Sequence, residues 1–233
     1  MNRTPVRRAL LVHVHVPKAG GTSLDGVLQA VYGDRLLISH PDLGWPQQWS
    51  NLFLQKIEQE GDRYDAFSAH AAYGVHEIFK RPGLYISTVR DPIERFESYF
   101  NFVRHWQIHH YHDVAKEMSI SEFFRFLDGR DDIELYNLQC LLLCGKKDSK
   151  QAIDSVRSRY CAILPLKYFD ACVPLLARKL GWPDTEVPHH NVSEHKSTVF
   201  EMSHAERAAL IEGNRADAEL VSFCEGQLPL WYN

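Results

Sequence analysis

Apolar residues along the chain follow two rhythms. Short runs rich in β-branched and aromatic residues occupy 10–16 (LLVHVHV), 64–68 (YDAFS), 84–89 (LYISTV) and 160–164 (YCAIL), and they predict strands. Elsewhere the apolar spacing widens to three and four residues. That rhythm predicts helices over 22–32, 92–105, 120–127, 133–144, 150–157, 168–180 and 204–223. Strands separated by helices predict a parallel sheet with helices on both faces, an α/β chain in three layers. Ligands of such sheets lie beyond the carboxyl ends of the strands, so the turns that follow strands are the places to look for chemistry.

Neither repeats nor linker-like tracts interrupt this pattern, and 233 residues predict one domain spanning 1–233. No apolar window approaches a membrane span, and the apolar part of the N-terminus is too short for a signal peptide. A cytoplasmic protein without a membrane span is the expectation. The net charge of −4 and pI near 6.3 offer no global basic field, which argues against a nucleic-acid partner. A long polyanionic acceptor would likewise need a local basic groove. Five cysteines without a CxxC pair suit reduced thiols used as small apolar residues.

The first strand ends in "PKAGGTS" (17–23). Pro17 stops the strand, while Ala19, Gly20 and Gly21 permit tight or positive-φ turns with uncovered N–H groups. Thr22 and Ser23 then open a helix whose apolar stripe is Leu24, Val27, Leu28 and Val31. Free N–H groups and a helix dipole favour an anion there, and Lys18 adds a point charge. This is a phosphate cradle, but not the GxxxxGK[ST] loop of NTPases, because here the lysine precedes the glycines.

A second strand–turn–helix joint is "VRDPIERFESYF" (89–100). Asp91 is a natural N-cap, Pro92 fits the first helical position, and Glu94 would complete a capping box. Phe96, Tyr99, Phe100 and Val103 form the buried stripe, and Arg95 is spaced to pair with Asp91. Arg90 ends its strand at the same sheet edge as Lys18. With Ser98 two turns on, it could grip a second phosphate. His70 follows the strand at 64–68, titrates near neutrality and belongs to that edge, which makes it the candidate general base.

Together PKAGGTS and RDPIERFESY resemble the 5′- and 3′-phosphate motifs of sulfotransferases that use 3′-phosphoadenosine 5′-phosphosulfate (PAPS). The similarity is greatest to the branch containing heparan sulfate 2-O-sulfotransferase and its bacterial relatives. "SAHAAYG" (68–74), "NLQCLLLCG" (137–145) and "NRADAELVSF" (214–223) resemble further segments of that branch, so the likeness runs through most of the chain. One departure is "LPLKYFDACVPLL" (164–176), where relatives carry a Glu-Arg-Phe-Asp-like run.

The resemblance implies a P-loop-NTPase-like sulfotransferase fold and transfer of a sulfuryl group from PAPS to an acceptor hydroxyl, leaving 3′,5′-bisphosphoadenosine (PAP). It implies Lys18 on the leaving 5′-phosphate oxygen and the N–H groups of Ala19, Gly20, Gly21, Thr22 and Ser23 around that phosphate. Arg90 and Ser98 fall on the 3′-phosphate, and His70 matches the catalytic base. Lys196 and Thr198 lie in a segment that closes over the nucleotide in the family. No metal is required, since lysine and helix dipole supply the electrostatics. A carbohydrate or other small molecule is the expected acceptor.

The remaining histidines keep several readings. His105 and His109 have helical ligand spacing, but no Cys or patterned carboxylate completes a zinc set. The loop they belong to could instead border an acceptor, with Trp106 and Tyr111 offering ring faces. His13 and His15 alternate along the first strand as hydrogen-bonded core residues, with His15 nearer the loop. Two other functions stay open at this point, a P-loop nucleotide kinase or NTPase and a non-catalytic nucleotide-binding protein.

Overall fold

The computed structural model describes residues 8–39, 43–44, 48–183 and 199–228. In chain order the elements begin with β1 (Leu10–Val14), α1 (Gly21–Tyr32), β2 (Leu36–Ser39) and a minimal antiparallel pair, β3 (Leu43–Gly44) and β4 (Gln48–Trp49). Then come α2 (Asn51–Glu60), β5 (Ala66–Ala69), β6 (Gly83–Val89), α3 (Pro92–His105), α4 (His112–Ala115) and α5 (Ile120–Asp128). The chain continues through α6 (Leu138–Cys144), α7 (Ser149–Arg159), β7 (Tyr160–Pro165), α8 (Phe169–Leu180), α9 (His204–Gly213) and α10 (Arg215–Gly226).

Five strands form one sheet in the order β2-β5-β1-β6-β7, and every neighbouring pair is parallel. The alternation of β1 divides its side chains between two faces. Leu10, Val12 and Val14 join a core with Phe67, Tyr85 and residues of α2, α6, α7 and α10. Leu11 faces the other way, toward Leu24, Val27 and Leu28 of α1 and Cys172, Val173 and Leu176 of α8. Helices thus cover both faces, as the sequence rhythm predicts. A third apolar cluster stands apart from the sheet and joins α3 to α5 and α9 through Phe96, Phe100, Phe123 and Leu210.

β1 and β6 are neighbours in the sheet, yet the connection after β1 runs to β2 on one side and the chain after β6 continues to β7 on the other. The turns after β1 and β6 therefore open at the switch point of the sheet, where ligands of such folds sit.

Several elements differ from expectation. β2 falls in a stretch for which the sequence pattern predicts no element. α2 also escapes the sequence pattern; Ser50 caps it by accepting from the Phe53 N–H at 3.1 Å. The helix predicted over 133–144 starts only at Leu138, since Asn137 takes a left-handed φ of 51°. The long helix predicted over 204–223 is two helices broken at Asn214. That side chain is fully buried, donates to the Leu135 and Leu210 carbonyls, and accepts from the Asn137 N–H at 3.1 Å. Among the described residues no helix is long and apolar enough to cross a membrane.

Phe67 is fully buried in β5 between the rings of Phe53 and Phe79. Phe67→Ala should lower stability by about 3–5 kcal/mol in chemical denaturation, and a loss below about 1 kcal/mol would contradict this packing.

Candidate functional site

The turn after β1 is held open by backbone geometry. Lys18 adopts φ 64° and Gly20 φ 91°, both in the left-handed region. A side chain tolerates that region poorly, so Lys18 sits in a conformation that the surrounding turn imposes. Gly20 caps α1 without a side-chain bond, and its carbonyl accepts from Ser23 and Leu24. The N–H groups of Gly20, Gly21 and Thr22 have no acceptor among the described residues, and the first turn of α1 carries no acidic residue. An anion placed here would meet bare donors and the positive end of a helix. Gly21 has a second reason to lack a side chain: a Cβ would lie 2.4 Å from the His15 ring.

Across the switch point, Arg90 leaves the end of β6. Its Nη1 donates to the Lys18 carbonyl at 3.4 Å, and its Nε faces Glu94 at 3.3 Å. The two cationic residues of the two motifs therefore meet at one rim. Asp91 caps α3 by accepting from the Ile93 and Glu94 N–H groups at 2.9 and 3.0 Å. The predicted capping box is only half formed, because Glu94 turns to Arg90. Ser98 is half-buried on α3 and has no hydrogen bond to Arg90 among the described residues.

Arg95 corrects the sequence reading. It does not pair with Asp91 but points inward, fully buried, and donates from Nη2 to the Glu134 carbonyl. Its Nη1 stands 3.7 Å from Glu134 Oε2, close enough for charge attraction and too long for a hydrogen bond. Burial pushes the Glu134 carboxyl up to about 7, Asp132 adds to that, and Arg95 and Lys18 oppose it. The Lys18 ammonium lies 4.1 Å from the centroid of the Phe102 ring. Burial, followed by repulsion from Arg90, lowers Lys18 to about 8, and Glu134 partly offsets both. Lysines lowered this far by burial and a neighbouring cation are enriched at functional sites.

His70 follows β5, and its ring meets that of His15 edge-on at 4.8 Å. Behind them lies a network that sequence reasoning missed. Asp25, buried on α1, accepts from Nδ1 of His13 and of His15, each at 2.9 Å, and from the Ser68 hydroxyl. A carboxylate only accepts, so each imidazole holds its proton on Nδ1. These three residues also bring ligand atoms within 4.8 Å of one another, as a metal site would. Their mutual hydrogen bonds account for the grouping without an ion. Both strand histidines are core residues, as expected, but Asp25 had no signal beyond one acidic residue on an apolar helix.

The histidines at 105–112 form no metal-ligand group among the described residues, although His109 and His110 stack at 4.4 Å. α3 ends at His105, and His109 belongs to the following turn, where its Nδ1 accepts from the Tyr111 N–H at 3.1 Å. Burial and then the neighbouring His110 lower His109 to about 4, so it is neutral at physiological pH. Tyr111 turns inward, donating to Asp132 at 2.7 Å and meeting Phe126 edge-on. Trp106 remains exposed and packs in a tilted arrangement at 4.8 Å against Phe102, whose ring lies under the Lys18 ammonium. Lys196 and Thr198 lie outside the described residues.

The model of the sulfotransferase family matches residues 6–157, a span that holds the loop at 17–23, His70, Arg90 and α6. Among solved structures, a sulfotransferase from Alicyclobacillus acidocaldarius shares the fold at a TM-score of 0.54 and 18% identity, covering 97% of this chain and 99% of that one. No curated protein matches the chain.

Gly21→Ala should destabilise the protein by about 1–3 kcal/mol in thermal or chemical unfolding, because the new methyl group must displace His15 or the loop. Unchanged stability would show that the loop yields freely.

Proposed function

This chain is a member of the sulfotransferase family, and on that premise we propose that it moves a sulfuryl group from PAPS to the hydroxyl of a small-molecule or carbohydrate acceptor. The supporting observation is the meeting of Lys18 and Arg90 at one rim, joined by the Arg90 bond to the Lys18 carbonyl. Two anion grips so close together suit one adenosine that carries phosphates at two separate positions. The chain's nearly complete overlap in length with its structural neighbour supports reading 1–233 as one domain. The segments around His70 and Asn137–Gln139 favour the heparan sulfate 2-O-sulfotransferase-like branch.

In this reading the N–H groups of the 19–23 turn hold the 5′-phosphate, and Arg90 with Ser98 holds the 3′-phosphate. Lys18 neutralises the charge that builds on the leaving phosphate oxygen as its bond to sulfur breaks. His70 accepts the proton of the acceptor hydroxyl as the new oxygen–sulfur bond forms. Positioning and electrostatics then carry the reaction, as in phosphoryl transfer. The exposed Trp106 and the acidic Glu134 that interacts with Lys18 suit a neutral acceptor with an apolar ring face better than a polyanion.

Lys18→Ala should abolish transfer and weaken PAP binding. His70→Ala should abolish transfer while leaving PAP affinity, measured by calorimetry, within about twofold. Normal turnover by His70→Ala would remove the base assignment.

The titration of Lys18 gives an independent check. Its protonated form is the competent one, so kcat/KM for the donor should fall as pH rises through about 8. A bound polyanion favours the ammonium, so the same limb in kcat should lie at higher pH. Coincident limbs would argue against donor contact.

A further inference from the structure

We propose that Gln139 is a positioning residue for the donor's 3′-phosphate, acting through the main chain of Arg90. This inference rests on the donor reading above and names a part of that site outside its two phosphate motifs.

At Arg90 the strand runs off its sheet. Pairing of β6 with β1 ends at Ser87 opposite Val14, and pairing with β7 ends at Val89 opposite Pro165, which has no N–H to donate. The main-chain groups of Arg90 thus lie beyond the ladder, at the residue whose side chain must face the ligand. Gln139 meets both of them. Its Oε1 accepts from the Arg90 N–H at 2.9 Å, and its Nε2 donates to the Arg90 carbonyl at 2.8 Å. Gln139 is fully buried, so water cannot replace either bond.

The requirement for glutamine is chemical. One donor and one acceptor must emerge from the same planar group, which excludes glutamate and every apolar residue, while asparagine is a methylene shorter. The amide is itself anchored from a distance. Asp217 on α10 accepts from the main-chain N–H groups of Gln139 and Cys140 at 3.0 and 2.8 Å. Asn137 accepts from the Asp217 N–H at 3.0 Å and donates to the Gly213 carbonyl at 2.6 Å. α10 therefore fixes the start of α6, α6 fixes Gln139, and Gln139 fixes the backbone from which Arg90 reaches the rim. Arg90 forms charge-assisted bonds whose worth depends on angle and distance, so a loosened backbone should weaken the grip on one phosphate and spare the other.

The test compares two ligands by calorimetry on the full chain: PAP, and adenosine 5′-phosphate, which lacks the 3′-phosphate. Gln139→Leu should weaken PAP at least tenfold and change adenosine 5′-phosphate by less than about twofold. Arg90→Ala should give a similar pattern, and the double variant should lose little more than either alone, since the two act in series. Hydrogen exchange at the Arg90 amide should quicken in Gln139→Leu. Should that variant fail to fold, Gln139→Asn keeps the amide donor and acceptor one methylene short, and should give a smaller loss in the same direction. Equal losses for both ligands, losses that add to those of Arg90→Ala, or an unchanged Arg90 amide would overturn the proposal. Wild-type protein that binds both ligands alike would instead sink the donor assignment itself, and this inference with it.

Discussion

The parallel pairing of β1 with β6, in which Val14 stands opposite Ser87, carries two strand ends to the same edge of the sheet. Ser87 reinforces the pairing by donating to the Val14 carbonyl at 2.6 Å inside the core. Because β5 flanks β1 on its other side, His70 arrives at that edge as well. Three turns from distant parts of the chain thus open side by side, each held by a buried strand. The loops can be strained and open because the strands beneath them are closely packed. Lys18 in the left-handed region and the bare N–H groups of Gly20, Gly21 and Thr22 would be hard to sustain on a looser frame.

Below this rim the protein buries more polar chemistry than stability alone calls for. Arg95 is fully buried with Nε and Nη1 unbonded, beside a Glu134 carboxyl that burial holds near neutral. Such a pair is poor evidence of stabilisation, because desolvation offsets much of its attraction. Glu134 does act on Lys18, partly offsetting the lowering by burial and by Arg90. The second network, from Asp25 to His13, His15 and Ser68, lies beneath Gly21 and against His70. It defines the proton positions of two imidazoles and the floor on which the loop rests. Both networks fit a site whose electrostatics are arranged before any ligand arrives.

Local features were readable before the fold. The loop at 17–23 announces itself through glycines and a lysine after a strand, and the Asp91–Pro92 start of α3 through its cap. The buried stripe of Phe96, Tyr99, Phe100 and Val103 follows from helical spacing and was found where expected. The failures have local causes. Asn137 takes a left-handed backbone conformation that delays α6, and Asn214 breaks a helix to satisfy carbonyls 79 and 4 residues away. Arg95 had a plausible partner one turn back, but the Asp91 side chain was already engaged by the two N–H groups of its cap.

The amino-acid order by itself determined the alternation of strands and helices and the positions of the two strand–helix turns that carry Lys18 and Arg90. Each depends on interactions within a turn or two of chain, where spacing and side-chain chemistry suffice. Only the tertiary structure decided which groups stand behind them. Gln139 reaches Arg90 across 49 residues, Asp217 reaches Gln139 across 78, and Ser68 reaches His13 across 55. Such bonds arise because a buried polar group must find a partner, and the partner is chosen by how the layers pack.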